Sequence, residues 1–337
     1  MRLLLINHEY TISGASRMML RLALHLQEAG HHCDVMAMAS HDGPLRQEYE
    51  SHGFNHLITT EFTAYDVVIC NTIFSAPIVP AAAKFKPTIW WIHEGENGID
   101  YILKRPADVL AFRDATAIVF QTEFQRDVIY RSFVFMQDPT KLFVIPSAVA
   151  VDSTGPSVPK TRALRIVSIG SIDARKRHGD LIRAVHALKR DDIECVIVGK
   201  YYHLGDEERA IAAAAPDTFK ILGEMANAEA LAWLRSADLF CLPSQVESQP
   251  ISILEAALLG KPLVLTDFPP YRGIWRHRQN CLLVPVGDVG ALAYSISALL
   301  TSPEMGMQLG RAARAMARRF GEAVFFARFD AMLAGLV

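Results

Sequence analysis

Cysteine is scarce and dispersed. The 337 residues hold five, Cys33, Cys70, Cys195, Cys241 and Cys281, and no two form a CxxC pair. That pattern excludes a disulfide framework and speaks against a thiolate metal centre. Four of the five lie in or beside apolar runs, where a reduced thiol acts as a small core residue. Long hydrophobic runs are also missing: none approaches the ~20 residues of a membrane-spanning helix. The opening MRLLLINHEY is too briefly apolar for a secretory signal. The expected compartment is therefore the cytoplasm, with the inner face of its membrane as an alternative. Charge imbalance is absent too, the formal net charge being −2. This leaves no electrostatic case for nucleic acid. Residues 1–150 carry 12 Lys+Arg against 16 Asp+Glu, which weakens a broadly basic, membrane-seeking face but leaves a local patch, and so peripheral membrane contact, open. Finally, GxGxxG, GxxxxGK[ST], HxxEH and DxD are all missing. A nicotinamide fingerprint, a P-loop and a built-in metal are not expected.

What is present is β/α alternation. RLLLIN reads as a buried strand, HEYTISGAS as a loop, and SRMMLRLALHLQEAG as a helix with Ser16 as N-cap and Gly30 as its stop. HHCDVMAMA returns as a strand, completing a β-loop-α-β unit of a parallel sheet. YDVVICN, PTIWWIH, TAIVFQT and KLFVIPS read as further strands. Ala148–Arg162 is a linker rich in Ser, Thr, Gly, Pro and Val. Alternation then restarts with ALRIVSIG, DLIRAVHALKR and IECVIVG, and runs through DLFCLPS to the helix EAVFFARFDAMLAGLV. The fold class is α/β, with two doubly wound Rossmann-like domains facing across a cleft. The domains are residues 1–150 and 160–320, and 321–337 forms a last helix crossing back to the first.

Four loops carry candidate chemistry. Ser13-Gly14-Ala15-Ser16 precedes a helix, where a glycine lets a phosphate or sugar approach the backbone, or serves a plain turn. Arg175-Lys176-Arg177 follows a strand and suits a diphosphate, or forms a solvated basic turn. His93 ends the strand PTIWWI, placed to hydrogen-bond a sugar hydroxyl or phosphate, or to serve the core. PSQVESQPISILEAALLGKPLVLTD, residues 243–267, runs from strand through turn into a helix that begins at Pro250. Such a helix start favours an anion. Glu247 in the turn and Glu255 on the helix, eight residues apart, are too far from each other for one metal site and line the same cleft at different depths.

Taken together these segments resemble the retaining GT-B glycosyltransferases of family four. Glu247 to Ala256 with Gly260-Lys261-Pro262 resembles the E-x7-E signature. RLLLIN…SGAS…LALHLQEAGHHCDVMA resembles the first strand, glycine loop and helix, and Ile145-Pro146 the inter-domain "IPNG" stretch. Gly170 to Lys176 resembles the "GRLxxxKG" loop, and Leu222-Gly223-Glu224-Met225 and Asn280 to Asp288 resemble later landmarks. The resemblance implies catalytic roles for Glu247 and His93. It implies donor binding by Gly14, Arg175, Lys176, Gly223, Met225, Ser248, Gln249, Ile251 and Glu255. Lys176 would hold the diphosphate, Glu255 the ribose, Glu247 the donor sugar, and Met225 would lie near the base. The chain departs from the pattern at Ser171, where the family has Arg, so Arg175 or Arg177 would replace that cation. It departs also at Ser13-Gly14, Pro146-Ser147-Ala148 and Gln249-Pro250. The implied activity moves a sugar from a UDP- or GDP-sugar to an acceptor hydroxyl of a glycan, lipid or small molecule, without metal or other cofactor. The alternatives are an idle nucleotide-sugar-binding protein, or a phosphorylase or epimerase on the same fold.

Overall fold

Short apolar runs bounded by polar residues become strands buried on both faces, as parallel sheets require. The structure is a computed structural model that describes residues 1–11, 13–59, 61–247, 250–271 and 273–336. It divides into two units, Met1–Ala148 with Glu322–Val337, and Val149–Gly321.

In the N-terminal unit the strands are β1 (Arg2–Glu9), β2 (His32–Ser40), β3 (Asn55–Leu57), β4 (Val67–Asn71), β5 (Thr88–Trp91), β6 (Ala117–Phe120) and β7 (Leu142–Val144). They form one parallel sheet in the order β3-β2-β1-β4-β5-β6-β7. Alternate residues feed two cores: Leu3 and Leu5 face one, Leu4 and Ile6 the other. The helix Gly14–Glu28 covers the first of these faces, and the chain's last helix, Glu322–Ala334, covers it as well. Phe325 and Phe329 pack on Trp91 with ring centroids 5.4 and 6.0 Å away. Phe326 stacks on His25 at 4.1 Å, and the His25 Nε2 lies 2.9 Å from Asp330.

In the C-terminal unit the strands are β8 (Leu164–Ile169), β9 (Ile193–Val198), β10 (Phe219–Ile221), β11 (Leu239–Leu242), β12 (Leu263–Thr266) and β13 (Leu282–Val284). Their order is β10-β9-β8-β11-β12-β13, again all parallel. Both sheets therefore wind outward one way, then reverse, and the reversal falls between β1 and β4 and between β8 and β11. In such sheets ligands bind at the carboxyl ends of the strands beside that reversal.

The segment between the units has no helix or strand up to β8, as its composition predicts, yet it is not free. The Arg235 guanidinium donates to the carbonyls of Asp152 and Pro156, and Arg165 donates to those of Val158 and Pro159. Two helix starts differ from the sequence reading. The first helix begins at Gly14 with Ser13 as its cap, whose Oγ accepts from the Ser16 N–H at 3.2 Å. Ser13 wins because Ser16 is already inside the first turn. Pro250 is itself the cap, and Ile251 opens the helix. Among the described residues no helix is long and apolar enough to cross a membrane.

Candidate active site

The loop after β8 and the turn after β11 meet at the reversal point of the second sheet. Backbone packing there is tight enough to dictate two glycines. Gly199 has φ 154°, and a Cβ on it would lie 1.9 Å from the Gly170 carbonyl oxygen. A Cβ on Gly170 would crowd the Lys176 stem at 3.3 Å. Both small residues let the β8 loop fold over so that Lys176 points inward.

Lys176 Nζ pairs with Glu247 Oε1, and only 13% and 8% of the two side chains remain exposed. The Ser244 hydroxyl donates to the same Glu247 oxygen at 2.7 Å. A buried ion pair with a third hydrogen bond is a pre-formed charged centre of net charge near zero. The family resemblance implies separate partners for these residues, and the structure joins them to each other.

Asp173 organises the loop, and no motif had singled it out. Its Oδ1 accepts from the N–H groups of Arg175 (2.9 Å) and Lys176 (3.2 Å), and its Oδ2 from the Ser171 hydroxyl (2.8 Å) and the Arg175 guanidinium (2.8 Å). Burial alone would raise its carboxyl; the Ser171 and Arg175 hydrogen bonds overcome that and hold it below the usual range. Ser171, which stands where the family pattern has Arg, thus serves Asp173. Arg175 is 60% exposed and turned to Asp173. Arg177 adopts φ 51° where the pattern has glycine, and its guanidinium goes to Asp180 at 2.6 Å. The three cations of the basic run therefore turn to three different carboxylates, and Arg177 shares Asp180 with Arg183.

Glu255 lies one helical turn inside Ile251–Leu258, is 5% exposed, and accepts from the Asn227 amide at 3.0 Å. The Ser252 hydroxyl donates to the Ile169 carbonyl at 2.9 Å, fixing this helix start to the end of β8. Gly223 has φ 74°, and its carbonyl accepts from Gly199 N–H at 2.8 Å, while Met225 is half-buried against the core. Ser248 and Gln249 lie outside the described residues. Tyr271 is a further residue sequence reasoning missed: its ring is buried, its hydroxyl has no partner among the described residues, and burial followed by the nearby charge of Glu247 raises its pKa well above the ordinary value. His178, close to Lys176 in sequence, is buried with neither ring nitrogen paired among the described residues, and burial drives its pKa down to about 3.

Gly14 and His93 belong to the N-terminal unit. Gly14 is exposed in the first turn of its helix. His93 follows β5 and is 8% exposed, and burial drives its pKa down to about 3, so the ring is neutral. The neighbouring Glu94 carboxylate accepts from the N–H groups of Ile73 (2.8 Å) and His93 (3.1 Å), and burial raises it above the usual range. Among the described residues no group of His, Cys, Asp and Glu has the arrangement of a metal site.

Comparison with known proteins bears on this geometry. Residues 155–316 match the family described as "Glycosyl transferases group 1". A phosphatidyl-myo-inositol mannosyltransferase from Mycobacterium leprae is 32% identical over 190 residues, 52% of this chain and 49% of the relative. A 2-deoxystreptamine N-acetyl-D-glucosaminyltransferase from Niallia circulans is 31% identical over 103 residues, 31% of this chain and 26% of the relative. The matched stretches thus span about half or less of the length of these curated relatives. Among solved structures, Anabaena HepE in complex with UDP superposes with a TM-score of 0.81 at 17% identity, over 100% of both chains. Sucrose-phosphate synthase from Thermosynechococcus elongatus does so with 0.77 at 16% identity, over 99% and 98%. The fold is GT-B, and residues 155–316, just under half of the chain, are similar to the group 1 glycosyltransferases.

Proposed function

We propose that the protein is a retaining glycosyltransferase that moves a hexose from a nucleotide diphosphate sugar to an acceptor hydroxyl, without a metal. The observation that carries the proposal is the buried Lys176–Glu247 pair at the reversal point of the second sheet, with Glu255 on the adjoining helix. The fold and family support a nucleotide-sugar donor, and HepE, which shares the fold, is described in complex with UDP-glucose.

The chemistry follows from the charges. Breaking the bond to a diphosphate puts negative charge on the leaving group. Lys176 then turns from Glu247 to the phosphate, and the start of the Ile251–Leu258 helix faces the same anion. Glu247 faces the anomeric carbon, where positive charge develops. With Lys176 turned to the phosphate, Glu247 still accepts from the Ser244 hydroxyl, which weakens it as a nucleophile. The reading therefore favours proton transfer from the acceptor to the leaving phosphate over a covalent glycosyl–Glu247 intermediate. Glu255, oriented by the Asn227 amide, holds the ribose hydroxyls. The acceptor is assigned to the N-terminal unit, with His93 as a neutral hydrogen-bond donor to it. The alternative, an idle binder, is favoured by one observation: Ser171 offers no cation to the phosphates and is tied to Asp173.

The test is thermal stabilisation by a panel of UDP-, GDP- and ADP-sugars with EDTA present, followed by a transfer or donor-hydrolysis assay on the best donor. A donor that raises Tm and is turned over with its anomeric configuration kept supports the proposal. A raised Tm with no turnover supports the idle binder, and no stabilisation by any donor sinks both.

A further inference from the structure

Across the carboxyl ends of the N-terminal sheet runs a row of polar side chains that no motif announced. Asn7 lies near the carboxyl end of β1, Asn71 ends β4, Trp91 ends β5, His93 follows it, and Gln121 follows β6. All are buried. One half of the row is joined through Asn71, whose amide nitrogen donates to Asn7 Oδ1 at 3.0 Å and to the Ala15 carbonyl at 3.1 Å. The other half is joined through Gln121, whose amide nitrogen lies 2.5 Å from His93 Nδ1 and 3.1 Å from Ser147 Oγ. Gln121 is itself held, because its backbone N–H donates to Gln125 Oε1 at 2.6 Å, and Gln125 reaches on to the carbonyls of Ile92 and Glu94.

We propose that Gln121 is a positioning residue that fixes the proton of His93 on Nε2 and so makes the imidazole a directed hydrogen-bond donor. An amide nitrogen has two hydrogens to give, and its two neighbours here are His93 Nδ1 and Ser147 Oγ. Nδ1 therefore accepts, and the single proton of the neutral ring sits on Nε2. Among the described residues that buried Nε2 has no partner, nor has Trp91 Nε1, whose ring lies 4.5 Å from the imidazole. A buried donor without an acceptor costs free energy. A site that keeps one suits an incoming oxygen such as an acceptor hydroxyl. The placement of the proton rests on geometry alone; its use in transfer rests on the function proposed above.

The experiment is NMR of the full-length protein with isotope-labelled histidine, the His93 signals being identified by their loss in His93→Gln. Wild type is expected to show Nε2 protonated and Nδ1 bare. In Gln121→Glu the carboxylate accepts from the ring, so Nδ1 becomes protonated. Gln121→Met keeps the volume, avoids a buried charge and removes the bias, so both tautomers are expected. Protonated Nδ1 in wild type overturns the proposal, as does an unchanged tautomer in both variants. Kinetics separate this from the underlying reading. Gln121→Glu, which takes the proton off Nε2, is expected to lower kcat roughly fivefold with donor KM unchanged, the loss of one hydrogen bond, and Gln121→Met by less. The expected tautomers with wild-type kcat would overturn the role of His93 in transfer while leaving its proton where the structure puts it.

Discussion

Lys176 and Glu247 each give up solvent for the other, and among the described residues neither makes a second salt bridge. Removing one leaves a buried uncompensated charge, which typically costs about 3–5 kcal/mol. Glu247→Leu alone is thus expected to lower the urea midpoint of the donor-free protein markedly. Adding Lys176→Met is expected to restore most of it, and an additive double variant would contradict the pairing. Buried neutral histidines give a second handle. His93 and His178 have folded pKa values of about 3 against an ordinary 6.5, so the unfolded chain takes up protons first as pH falls. Their stabilisation is complete above pH 6.5 and is lost as pH falls toward 3, by at most ~1.4 kcal/mol per histidine per pH unit. The urea midpoint should fall between pH 7.5 and 5, and less steeply in His178→Phe; an equal slope would refute that account of His178. Lys176, Glu247 and Glu255 were legible in the sequence, because charged residues at the ends of apolar runs stand out. Their pairing was not, since Lys176 and Glu247 are 71 residues apart and meet only through the strand order. Asp173, Gln121 and Tyr271 were invisible for another reason: a lone buried polar residue has no spacing to read.

The helices at the two ends of the chain matter as much as the motif helix. Glu322–Ala334 completes the core of the N-terminal unit, and Phe329 within it is fully buried against Trp91. Phe329→Ala is expected to cost about 3–5 kcal/mol. A change below 1 kcal/mol in denaturant unfolding would show that the helix is not part of that core. The Asn227–Arg235 helix has a smaller task, carrying the amide that orients Glu255. Losing one hydrogen bond of ~1 kcal/mol is worth about fivefold in affinity. Asn227→Ala should therefore weaken donor binding several-fold with its thermal transition little changed, and unchanged affinity would remove Asn227 from the site. Most elements could be read from apolar runs and helical spacing. β3 could not, because Asn55–Leu57 is three residues long, polar and only partly buried, and exists by pairing with β2. The first helix start was misplaced by three residues because Ser13 and Ser16 are both good caps, and only the backbone geometry separates them.

Taken whole, the chain is two reversing parallel sheets with separate cores, one carrying the paired charges and the other the polar row. Separate cores imply separate melting. Scanning calorimetry of the donor-free protein is expected to show two transitions, of which a bound nucleotide raises the one belonging to Val149–Gly321. The measurement that bears most directly on the central claim is titration calorimetry of UDP and GDP against wild type, Lys176→Ala and Glu255→Ala, each checked for its fold. The Lys176–Glu247 pair and Glu255 as the nucleotide site predict that wild type binds at least one nucleotide and that both variants lose about tenfold or more, the ~1.4 kcal/mol expected of a charged hydrogen bond. Wild-type affinity in both variants would place the nucleotide elsewhere and contradict the site.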